Sequence, residues 1–166
     1  MRKILVLLIF ILLPVFAIAK GVGYSNTQWG MSPNQVVTAE KGKAQIIEPK
    51  EFTGGLGKVR AENVKIDDNT YTVTYVFDES DQLVATYLIS NEKGNAGITN
   101  LEFNSLDKLL TQKYGNAQFR NANTVTWKTN SMTIELKKII VMSISYANAT
   151  VSYMPNSKVR DDTSNL

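Results

Sequence analysis

The residues in this sequence best suited to chemistry are carboxylates, because the chain of 166 residues holds no histidine and no cysteine. That absence excludes Ser-His-Asp and Cys-His nucleophilic sites within this chain, together with zinc or copper sites ligated by His or Cys. Catalysis here would rest on carboxylates, Lys or Tyr. The densest acidic runs are Asp67-Asp68 and Asp78-Glu79-Ser80-Asp81. They could form an acid/base pair or a calcium loop. The spacing lacks the alternating ligands and central glycine of a calcium loop. Hairpin turns whose side chains bond their own backbone are the better reading. Gly54-Gly55-Leu56-Gly57 lacks the Gly-Lys-Ser/Thr ending of a phosphate cradle, so Glu48 to Gly57, with Pro49, reads as a loop that could make contacts.

A different chemistry is written in alternation. Tyr71, Val73, Tyr75, Phe77, Val125, Trp127, Met132, Ile134, Leu136, Ile140, Met142, Ile144, Val151 and Tyr153 form one set. Threonines, serines and charged residues fill the positions between them. This pattern predicts an antiparallel sheet, covered on one face and wet on the other. The open face is the candidate docking surface for a partner, with Thr72, Thr74, Thr126, Lys128 and Thr133 as its binding residues. Leu83 to Ile89 is apolar on both sides and predicts a central or doubly covered strand. Trp29 and Trp127 could anchor a partner, but their positions favour the core. Asn148-Ala149-Thr150 matches a glycosylation sequon of low specificity.

Two helices must position this sheet. In Ile98 to Gly115, Thr99 and Glu102 have the order of a capping box, and Ile98 and Phe103 the spacing of a hydrophobic staple. Phe103, Leu106, Leu109, Leu110 and Tyr114 share one face, and Gly115 ends the helix. Burying that stripe contributes on the order of 10 kcal/mol as an upper limit. Leu101 falls on the polar side. A second capping box, Ser32 and Gln35 with Pro33 between them, predicts a short helix from Pro33 to Lys41, closed by Gly42. Strands are expected at Lys58–Ile66, Thr70–Phe77, Gln82–Ser90, Thr124–Lys128, within Met132–Ser145 as one strand or two, and at Ala149–Tyr153 after a turn at Asn148. The two helices match in layout, Ser32 and Ser105 each lying ten positions before a glycine, which suggests an internal repeat of 29–90 and 98–154.

Composition bounds the object. The length suits one domain with a real core. Arg2-Lys3, the apolar run Ile4 to Phe16 and Ala17-Ile18-Ala19 have the parts of a signal peptide, so residues 1–19 are expected to be cleaved and the mature chain to begin at Lys20. The apolar run is shorter than the ~20 residues that span a bilayer, so no stable membrane insertion is expected. Loss of Arg2 and Lys3 takes the formal charge from +3 to +1, which gives no support to nucleic-acid binding. Residues 20–154 are expected to form the domain, and Pro155 to Leu166, polar and aperiodic, a mobile tail. No cofactor or metal is implied.

The order helix, strands, helix, strands, with Trp29-Gly30-Met31-Ser32, the helix end Lys113-Tyr114-Gly115 and the following Trp127, resembles small exported bacterial proteins of unassigned role. Their layout is similar to that of tandem α-β-β-β proteins of the β-lactamase-inhibitory-protein-like fold, and to the small lipoprotein of the outer-membrane barrel-assembly machine. The chain departs from them in having Ala117 where a proline often stands, no disulfide and no lipid-anchor cysteine. The resemblance implies a non-catalytic, protein-binding module. The expected fold is α+β, a single antiparallel sheet with two helices on one face, as a duplicated α-β-β-β unit. The expected function is an exported, non-enzymatic binding or envelope protein, periplasmic or secreted, that recognises another protein through its sheet face or loops. The alternative is a small periplasmic ligand-binding protein or a carboxylate-dependent hydrolase.

Overall fold

The computed structural model describes residues 21–159. The expected signal segment and the end of the expected tail, 160–166, lie outside the described residues. The order is α1 (Pro33–Ala39), β1 (Gln45–Phe52), β2 (Gly55–Ile66), β3 (Asn69–Phe77), β4 (Leu83–Ser90), α2 (Ala96–Tyr114), β5 (Phe119–Arg120), β6 (Thr124–Lys128), β7 (Met132–Val141) and β8 (Tyr146–Pro155). The strands form one antiparallel sheet in the order β1-β2-β3-β4-β8-β7-β6-β5. The fold is α+β, with both helices on one face. Each helix is followed by four strands rather than three. Among the described residues no helix is long and apolar enough to cross a membrane.

The helices form for the local reasons written in the sequence, with one exception. Ser32 caps α1, its hydroxyl accepting from Gln35 N while Ser32 N donates to Gln35 Oε1. The helix stops at Ala39, and the left-handed turn falls on Lys41 and Gly42. In α2 the cap is Asn95, whose side chain accepts from Ile98 N. Thr99 and Glu102 therefore stand inside the helix and are buried against the sheet. Ile98 is exposed and makes no staple. Phe103, Leu106 and Leu110 are buried as expected; Leu109 and Leu101 are exposed. The core joins these side chains and Val36 to Val59, Tyr71, Val73, Tyr75, Val125, Ile134 and Val151 on the covered face. Trp127 lies in this core and donates from Nε1 to Gly115 O at 3.1 Å, which fastens the end of α2 to β6.

The sheet is longer than its pattern in the sequence. The supposed loop Glu48–Gly57 is mostly strand. Pro49 is tolerated because β1 is an edge strand whose register shifts between Ile46 and Lys50. Gly55 lies against Phe77 O, where a Cβ would stand 2.2 Å away. At Gly57 a Cβ would meet Thr74 Cγ2 at 2.7 Å and the Phe52 ring at 2.9 Å. Those glycines let the β1–β2 hairpin put Phe52 over the second face, against Val76, Val84, Ala85, Tyr87 and Met154. The doubly apolar strand, β4, is thus covered on both sides at its start.

At the other end, β7 is one strand that stops at Val141. Residues Met142–Ile144 turn as a 3-10 helix, and Ser145 has φ 50°. Met142 and Ile144 are accordingly exposed rather than in the core. Asn148 is no turn. It lies in β8, buried, and donates from Nδ2 to Ser90 O and Glu92 O. These bonds replace ladder partners where β4 has ended, and they remove the sequon asparagine from the surface. The expected tail also begins in ordered structure. Pro155 closes β8, Asn156 donates to Thr129 O and accepts from Thr133 Oγ1, and Lys158 pairs with Asp78.

Candidate functional site

Strand register turns the polar face into two rows. Arg60, Thr74, Tyr87, Ser152, Glu135 and Thr126 lie side by side across β2, β3, β4, β8, β7 and β6. Thr72, Ile89, Thr150, Lys137 and Thr124 form the next row. Side chains directly opposite each other stand about 5 Å apart, so each row is a continuous line of neighbouring side chains.

The five expected binding residues do not form one open site. Thr74 is 1% exposed, because the β1–β2 hairpin leans on it through Gly57 and Phe52. Thr133 is 7% exposed, covered by the segment after β8, and its hydroxyl donates to Asn156 Oδ1 at 2.9 Å. Both are corrections to a face expected to be uniformly wet. Thr72 is half-buried and its hydroxyl donates to Asn91 Oδ1. Thr126 is half-buried and Lys128 exposed, both on β6. Four ladder steps separate Thr72 from Thr126, roughly 19 Å.

What the fold brings together lies between them. A recess of 290 Å³ opens on β4, β8 and β7, lined by Tyr87, Glu135, Lys137, Ile139, Thr150 and Ser152, with Thr53 of the β1–β2 turn as its wall. Tyr87 is fixed by a hydrogen bond from its hydroxyl to Thr53 O at 3.1 Å and by its ring 5.3 Å from that of Phe52. Burial pushes the Tyr87 phenol up. The Thr53 bond opposes that shift and the nearby Glu135 charge adds to it, so the Tyr87 phenol keeps its proton, which is held by Thr53 O, and its oxygen is left to accept. Glu135 offers an acceptor and Lys137 a cation two positions on, with hydroxyls of Thr150 and Ser152 opposite them. Along the same face of the β7–β8 hairpin, Ile139, Val141 and Tyr146 are exposed. The site is therefore a recess of mixed character, with polar tips on largely apolar walls, that continues into an apolar edge.

Alternation alone places Glu135, Lys137, Thr150 and Ser152 on this face. Which of them adjoin depends on the β4–β8 pairing, joining strands about sixty residues apart, and on a hairpin whose glycines and proline predict a loop. The acidic runs behave as turns: Asp78 Oδ1 accepts from Ser80 N and Gln82 N, and Asp67 has φ 54°. Among the described residues no group of three or more acidic side chains could hold a metal ion.

Fold and surface together define an antiparallel α+β protein with a partly covered polar sheet face. Set against protein-family models, curated proteins and solved structures, the chain matches none.

Proposed function

We propose that the chain is an exported, non-enzymatic binding protein of the cell envelope or the extracellular space, which holds another protein against the outer face of β4, β8 and β7. The observation that carries this reading is the recess at Tyr87, Glu135 and Lys137 running directly into exposed Ile139, Val141 and Tyr146. A recess of mixed polar and apolar lining beside exposed apolar and aromatic side chains is the composition of a protein interface, with anchors at its centre and hydrogen bonds at its rim. Export rests on the signal-like residues 1–19. Descent from a doubled helix-and-strands unit, 29–90 and 98–154, is supported by a strand order that mirrors itself about the β4–β8 pair.

Capture of the native partner by the purified chain tests the reading. Ile139→Asp weakens capture at least about tenfold, while Leu101→Asp on the helix side leaves it unchanged. Equal loss in both variants, or in neither, overturns it. The convergence of a phenolic oxygen, a carboxylate and a cation at Tyr87, Glu135 and Lys137 favours a second reading, a small polar ligand. The recess lies at the lower end of ligand-pocket sizes, which start near about 300 Å³.

A further inference from the structure

A second recess, independent of the sheet face, lies where the β2–β3 turn, the segment after β4 and the start of α2 meet. It measures 360 Å³ and is walled by Asp68, Asn69 and Thr70, by Asn91 and Glu92, and by Glu102 of α2. Ile98 supplies an apolar side. Every other group is a carboxylate, amide or hydroxyl, and no lysine or arginine lines it.

Glu102 is the unusual member. It is 2% exposed, yet its carboxylate has one protein partner. Oε1 accepts from Ser90 Oγ at 2.9 Å, while Oε2 is buried with no hydrogen bond. Its surroundings are fixed. Ser90 Oγ also accepts from Glu92 N, and Asn148 clamps Ser90 O and Glu92 O. Asn91 cannot supply the missing donor, because its Nδ2 points to Asn63 and Thr70. Burial pushes the Glu102 carboxyl up, the Ser90 bond opposes this in part, the Glu92 charge adds to it, and no cation offsets the rise. A buried carboxylate with an idle oxygen is costly to keep, by about 1–3 kcal/mol for the unmade bond alone, unless a donor arrives from outside.

Among the described residues Asp68, Glu92 and Glu102 do not gather into a three-carboxylate group that could hold a metal ion. A primary ammonium fits better. It brings a positive charge and three N–H groups, which can be shared between a deep carboxylate and rim acceptors. Its aliphatic stem can lie along Ile98. We propose that this recess binds a primary alkylammonium group, with Glu102 as the buried counter-ion and Asp68 and Glu92 as the acidic rim. The group is carried by a free diamine or by a lysine side chain of a peptide.

Titration calorimetry on the folded chain, with 1,5-diaminopentane and with Nα-acetyl-lysine amide, tests the proposal. The expected result is saturable binding of at least one, weakened about tenfold or more by Glu102→Gln and severalfold by Glu92→Gln or Asp68→Asn. Tetramethylammonium, which has no N–H, and calcium chloride at matched ionic strength bind far more weakly. Tighter diamine binding identifies the free amine as the source, and tighter acetyl-lysine amide binding a peptide. Should Glu102→Gln not fold, the two rim variants decide. No saturable amine binding, wild-type affinity in the variants, or equal binding of tetramethylammonium or calcium overturns the assignment.

Discussion

Trp127 shows how one side chain joins a helix end to a strand. Its ring is buried in the core and its Nε1–H occupies the carbonyl of Gly115, the residue that stops α2. Trp127→Phe keeps most of the ring but leaves that carbonyl without its donor, and lowers stability in urea titrations by at least about 1 kcal/mol. That Trp127 is core could be read from its place in an alternating strand. Its partner could not, since the bond spans a turn. Glu102 behaves differently. Its carboxyl is held above the ordinary carboxylate range by burial first and by Glu92 second, with Ser90 opposing. As pH rises through the unfolded-state value, the unfolded chain releases this proton before the folded one does. Stability therefore falls until the folded group ionises and stays reduced above that. Glu102→Gln removes this dependence. Its melting temperature relative to wild type is higher at about pH 7.5 than at about pH 3.5, and equal differences at the two pH values contradict it.

Local code was readable in the elements where the chain uses it locally. The Ser32–Gln35 box and Pro33 start α1 as their spacing predicts, because each acts within one turn of helix. The same motif at Thr99 and Glu102 misleads. Asn95 opens α2 a turn earlier, and the pair is turned inward to serve the core and the second recess. Asn95→Ala therefore costs about 1 kcal/mol, whereas Thr99→Val, which removes a buried hydroxyl that has no partner, raises stability by about 1 kcal/mol or more in thermal or urea unfolding. Met142 and Ile144 continue an alternation that the backbone abandons at Val141, so pattern alone assigns them to the core. Gly57 marks the reverse error. Its glycines read as a loop, but their small size lets Phe52 fold over Thr74. Gly57→Ala forces that ring away and destabilises by about 1–3 kcal/mol. It also exposes Thr74, measurable as faster hydrogen exchange at β3.

Across the whole molecule, helices on one side leave the other side of the sheet to be divided between cover and contact. The hairpin at Phe52 and the segment at Asn156 close its two flanks, which is why Thr74 and Thr133 are interior and the centre at Tyr87, Glu135 and Lys137 stays accessible. Period-two alternation revealed the existence of that face. The covers come from segments without alternation, so its usable area needed the fold. Export is tested by N-terminal sequencing of the mature protein, expected to begin at Lys20. Docking at the sheet's outer face is tested most directly by a photo-crosslinking side chain placed at position 139 or, on the exposed helix side, at position 108, in the cells that make the protein. Position 139 is expected to give one discrete crosslinked protein and position 108 none; crosslinking from 108 and not from 139 would contradict it.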